Sequence, residues 1–157
     1  MGYLCLSCYE EYAREFLNLE LQDGYEYFCT KATCGGSVVE IDDLLLPIIK
    51  LLNLKGYTST YCCSGHSYEA NNGGVDTYIS FYRECFPDII PEGFVAEDDE
   101  WYEKNYPKFN RKDSPDICIR KNYDEDLGEY ELHQEICKTM ITLLDWAKEL
   151  EDMGDEY

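Results

Sequence analysis

CLSCYEEYAREFLNLELQDGYEYFCTKATCGG, residues 5–36, opens with one close pair of cysteines, Cys5 and Cys8, and closes with another, Cys29 and Cys34. Zinc favours soft thiolates in a tetrahedron, and two short turns can each present two sulfurs to one ion. The spacer suits such a site. Phe16 to Leu21 alternates, Asp23-Gly24 is a hairpin turn signal, and Tyr25 to Phe28 returns toward the second pair. Gly35 and Gly36 allow a tight backbone whose amides can point at a thiolate. The stretch predicts a zinc ribbon over residues 1–37 with Cys5, Cys8, Cys29 and Cys34 as ligands. Cys29 is the departure from ribbon spacing, because four residues rather than two separate it from Cys34. Four protein sulfurs leave no open position for water, so this Zn2+ is expected to be structural and coupled to folding.

The chain has nine cysteines, an odd number for a disulfide framework, and nothing near Met1 reads as a signal peptide. No apolar run approaches a membrane span. A soluble, cytoplasmic protein is expected. Its 33 acidic and 13 basic residues leave a net charge of −20, and residues 97–157 hold 19 of those acids against 8 bases. A field of that sign repels phosphate, so direct nucleic-acid binding is not expected. It attracts basic protein surfaces, including those that normally hold nucleic acid; the plainer reading of the charge is a solubilising surface.

Residues 38–157 predict an α+β core domain. Val38 to Ile41 reads as a strand expected to run into the core sheet, and Asp42-Asp43 as the start of a helix carrying Leu45, Ile48, Ile49 and Leu52, with Leu44 beside them, on its apolar face. Pro47 is tolerable in a first turn, and Gly56 is a stop signal. Tyr57 to Cys62 and Thr77 to Phe81 read as antiparallel strands, Ile117 to Arg120 as another. A second main helix is expected near 127–151, buried through Ile136, Cys137, Met140, Leu144 and Ala147, with Leu143 beside them. Residues 83–115 hold four of the five prolines and an acidic run, and read as an irregular acidic and aromatic insertion. Within it, WYEKNYPKFNRK (101–112) interleaves aromatics with bases; packing of the aromatics onto the protein is preferred to stacking on single-stranded nucleic acid. The whole predicts a zinc ribbon packed on a small, mostly antiparallel sheet with two main helices.

The succession VVEID, a helix, GYTSTYCCSGH (56–66), a loop and DTYISF resembles a group of small, mostly uncharacterised bacterial and phage proteins with a cysteine ribbon before a CCSGH segment. The similarity spans roughly residues 5–82 and implies no established activity. A shorter similarity, through Cys63-Ser64-Gly65 alone, is to the SCSGR segment of the wybutosine-synthesis methyltransferase family. His66 stands where that family has arginine, so neither tRNA nor S-adenosylmethionine binding is carried over.

Three readings of Cys62, Cys63, Ser64, Gly65 and His66 stay open. In one, Cys63 or Cys62 is a nucleophile assisted by His66, although no third, orienting residue can be assigned. In another, Cys63 and His66 are metal ligands whose partners come from Cys85, Cys118, Cys137 or His133, or His66 or Cys62 completes the ribbon site. In the preferred third, the segment is a shaped turn rimming a pocket. The functional expectation is a non-catalytic, zinc-containing interaction protein that engages a basic partner through its acidic surface. A phage-type inhibitor of a nucleic-acid-binding host protein fits that charge and would place it in the host cytoplasm. The alternative is an enzyme, or a nucleotide- or ligand-binding protein, using the CCSGH turn.

Overall fold

Alternation along the first strand, β1 (Gly2–Cys5), divides its side chains between two cores. In the computed structural model Leu4 packs into the main core, whereas Tyr3 and Cys5 join Val38 in a small second cluster. The structure describes residues 2–5, 7–12, 18–22, 24–28, 34, 37–66, 75–108 and 114–153. Around β1 an antiparallel sheet runs β2-β1-β5-β4-β3, with β2 Glu11–Tyr12, β3 Asn18–Gln22, β4 Gly24–Phe28 and β5 Ser37–Ile41. The β3–β4 hairpin pairs Leu19 with Tyr27 and Gln22 with Gly24, where the alternation and the Asp23-Gly24 signal place it. β5 pairs with β1 and β4, so Val38-Val39 completes the cysteine-bearing sheet and does not enter the second sheet as the sequence suggested.

The second sheet is also antiparallel, ordered β6-β7-β9-β8, with β6 Ser59–Cys63, β7 Asp76–Tyr82, β8 Val95–Glu97 and β9 Asp116–Asn122. The fold is therefore α+β, with helices α1 (Leu46–Leu54), α2 (Asp99–Asn105) and α3 (Glu129–Glu149) among the described residues. Ile79, Phe81 and Ile119 turn inward to meet Ile48, Ile49 and Leu52 of α1 and Leu132, Ile136 and Leu143 of α3. Leu4 and Ile41 bring the first sheet into the same core.

Residues 83–115 are more regular than the sequence suggested. Glu97 pairs with Cys118 at the sheet edge, and Asp98 caps α2 by accepting the Trp101 amide at 2.9 Å. Trp101, Tyr102 and Tyr106 pack on one another with ring centroids 4.8–6.0 Å apart. Phe109 to Lys112 lie outside the described residues.

The Lys55-Gly56 turn joins the two long helices. Gly56, at φ +96°, ends α1: its amide donates to Asn53 O and the next, from Tyr57, to Leu52 O. These two bonds satisfy carbonyls that a helix end otherwise leaves open. The turn aims the Lys55 ammonium at the C-terminus of α3, where it donates to the carbonyls of Ala147 (2.9 Å), Lys148 (2.8 Å) and Leu150 (2.7 Å). A cation at the negative end of the helix dipole, with three bonds, is favourable. Lys55→Met keeps the aliphatic stem but leaves these carbonyls without their donor. It is expected to cost about 2 kcal/mol, read as a lower midpoint in urea with an unchanged slope.

Candidate metal centre and the CCSGH turn

Cys5 ends β1, is fully buried and starts a tight turn. The Tyr9 amide donates to Cys5 O and the Cys5 amide to Glu10 O, each at 2.9 Å, with Tyr9 in the left-handed region at φ 62°. That conformation is unfavourable for a side chain as large as tyrosine, and the surrounding turn imposes it. Within the same turn two backbone amides face the sulfur: Ser7 N and Cys8 N lie 3.4 and 3.5 Å from Cys5 Sγ. Cys34 Sγ is 3.6 Å from Cys5 Sγ. Sulfurs bound to one tetrahedral zinc at 2.3 Å are about 3.8 Å apart, so the spacing suits a shared ion. The thiols of Cys5, Cys8 and Cys34 all lie within 4.8 Å of one another and can hold a metal ion. The fourth expected ligand, Cys29, lies outside the described residues, as do Gly35 and Gly36.

Cys63 ends β6, and the chain leaves the sheet through Ser64, Gly65 and His66. The peptide is locked in place. Ser64 O accepts from Thr77 Oγ1 at 2.7 Å, which leaves Thr77 to accept from the Tyr123 hydroxyl at 2.6 Å. Gly65 sits at φ +83°, where a Cβ would lie 3.0 Å from Asp76 O and 3.2 Å from Val75 Cγ1. Its amide donates to Cys63 Sγ at 3.4 Å.

The residue that sequence reasoning missed is Asp42. The sequence read it as a helix start, but α1 begins at Leu46; Asp42 O accepts from Leu45 N and Leu46 N in the turn that leads into the helix. Its side chain crosses to the CCSGH turn. Ser64 donates its amide (2.9 Å) and its hydroxyl (3.1 Å) to Asp42 Oδ2, and His66 Nε2 lies 3.9 Å from the same oxygen. Cys63 Sγ lies 3.9 Å from His66 Nε2. Asp42, Cys63 and His66 thus form a second group able to surround an ion, their ligand atoms within 4.8 Å of one another. None of Cys85, Cys118, Cys137 and His133 joins this group, and His66 groups with Asp42 rather than with the three N-terminal cysteines.

The electrostatics do not favour a free nucleophile. Burial raises the Cys63 thiol; the Gly65 amide opposes this, and the Asp42 carboxylate adds to it. Cys62 is pushed up to about 12 by burial first, then by Asp42 and Cys63. The geometry agrees, because a catalytic relay needs carboxylate and thiol on opposite ring nitrogens, whereas here both face Nε2.

Beside the turn, the face of the second sheet opposite the helices is polar. Register aligns Cys63 with Tyr78 and Tyr78 with Arg120. Arg120 stacks 4.8 Å over the Tyr78 ring and pairs with both Asp76 and Glu97, which keeps its guanidinium firmly charged. Compared with protein-family models, with curated proteins and with solved structures, the chain finds no match. No helix among the described residues is long and apolar enough to cross a membrane.

Proposed function

We propose that this is a non-catalytic interaction protein, held together at its N-terminus by a structural zinc, whose acidic surface engages a basic protein partner. Zinc would be bound by Cys5, Cys8 and Cys34, with Cys29 as the fourth ligand that completes a ribbon. The observation that carries the interaction reading is the surface leading into α3. Asp124, Glu125, Asp126, Glu129 and Glu131 are all exposed there, with no Lys or Arg between Lys121 and Lys138. Tyr130 stands among them with 74% of its surface in solvent. An exposed tyrosine ringed by charge has the composition of an interface anchor, and the acids would steer a lysine- and arginine-rich surface onto it. A host protein that binds nucleic acid presents such a surface, which fits a phage-type inhibitor acting in the host cytoplasm.

The test is competition. Protamine on a fluorescent DNA duplex provides a basic protein with its polyanion, and added protein is expected to release the DNA. Release should weaken at least tenfold between about 50 and 300 mM salt. Tyr130→Ala leaves every charge in place, so about tenfold weaker competition would identify a docking surface rather than a diffuse polyanion. No release at low salt would end this reading.

A further inference from the structure

The position of Asp42 gives the CCSGH turn a chemistry of its own. Its side chain is only 14% exposed, and no Lys or Arg pairs with it among the described residues. A half-buried carboxylate is a favourable place for a cation. The two Ser64 bonds fix its orientation but bring no full charge. What faces it is an imidazole nitrogen and, beyond that, a sulfur. Three donors of different chemistry therefore converge on one small volume, from the end of β5, the end of β6 and the turn that follows.

We propose that Asp42, Cys63 and His66 form a second metal site that takes a divalent ion of the zinc class, separate from the cysteine cluster. One thiolate, one imidazole and one carboxylate suit zinc, whereas magnesium and calcium favour all-oxygen sites. The 3.9 Å separations at His66 Nε2 are slightly wider than the roughly 3.3–3.6 Å between such donors around a filled tetrahedral ion. A contraction of about half an ångström closes them, which His66, on the outgoing turn, can supply. The surrounding bonds resemble those that orient metal ligands: Ser64 on the carboxylate and the Gly65 amide on the sulfur. Three protein ligands leave a fourth position for water or an exogenous ligand, unlike the cysteine cluster with its expected fourth sulfur. The site also ties the end of β5, in the first sheet, to the end of β6, in the second.

The experiment measures zinc per chain in full-length protein by mass spectrometry, alongside cobalt titrations followed by absorption. Wild type is expected to hold two equivalents, and His66→Ala and Asp42→Asn one each. His66→Cys, which restores a soft donor, should return the second. In cobalt the lost component should carry the weak sulfur-to-metal band of a single thiolate, with circular dichroism unchanged. Cys5→Ser should remove the other equivalent and leave this one. A wild-type content that stays the same in His66→Ala and Asp42→Asn would overturn the proposal. A single equivalent lost with His66 but kept in Cys5→Ser would support this site while refuting zinc at the cysteine cluster, so the two readings fail separately.

Discussion

Cys5→Ser is expected to strip the metal from the first sheet and to release the turn between β1 and β2 together with the β3–β4 hairpin. The sulfur is fully buried, accepts two amides and lies 3.6 Å from Cys34 Sγ. Among the described residues, the cluster around it has Tyr3, Cys5 and Val38 buried, with Cys8, Tyr12 and Cys34 half-buried beside them. Structural zinc binding contributes on the order of 10 kcal/mol, so its loss should weigh heavily on the elements around the cluster. The opening should stop short of the whole molecule, because Leu4 and Ile41 anchor β1 and β5 in the main core. Hydrogen exchange read by mass spectrometry should show β3 and β4 amides exchanging as if unfolded, with β7, β9 and α3 still protected. A chelator should reproduce the pattern in wild type. If Cys5→Ser keeps both its metal and wild-type protection, the cluster is not a metal centre.

Gly65→Ala should produce the largest loss at the CCSGH turn, about 3 kcal/mol. Roughly 1–2 kcal/mol comes from forcing a side chain into the left-handed region. The remainder comes from a Cβ placed 3.0 Å from the Asp76 carbonyl oxygen, a backbone atom that cannot swing away. For a chain of this size that is a fall of roughly 6–12 °C in Tm. Gly93 provides an internal control. Its φ is +84°, almost the same, but the nearest atoms to a Cβ there belong to the flexible Lys121 side chain at 3.6–3.7 Å. Gly93→Ala should therefore cost only the backbone part. Equal losses in the two variants would show that close approach at Gly65 contributes nothing. Because the Gly65 amide also donates to Cys63 Sγ, the first variant alone should disturb zinc binding by Asp42, Cys63 and His66.

The parts of this fold legible in the sequence are those where one short-range rule decides the outcome. The apolar spacing of Leu45, Ile48, Ile49 and Leu52 and the Gly56 stop specify α1 before any partner is known, and the long face from Ile136 to Ala147 does the same for α3. Alternating apolar positions mark β7 and β9, through Ile79 and Phe81 and through Ile117 and Ile119. The Cys5–Cys8 spacing points to a turn able to offer two sulfurs to one ion, because ligand geometry constrains it locally. α2 escaped because it has seven residues and none is buried, so it shows no apolar face; its stability rests on the Asp98 cap and on aromatics packing sideways. β8 escaped because three residues at a sheet edge are too few for a period.

Asp42 is the clearest case of what only the tertiary structure decides. Beside Asp43 and ahead of an apolar run, its local signature is that of a helix start, and nothing in the 20 residues between it and Cys63 points forward to the CCSGH turn. The two meet because β5 ends in the first sheet where β6 ends in the second, an adjacency set by both sheets sharing one core with α1. Local propensity extends over a few residues of chain, and a half-buried carboxylate meets whatever the packing brings within a few ångströms. The sequence alone therefore determined α1, α3, the β3–β4 hairpin, β7, β9 and the first cysteine pair. The packing of two sheets on one core determined that Cys63 and His66 have a third partner.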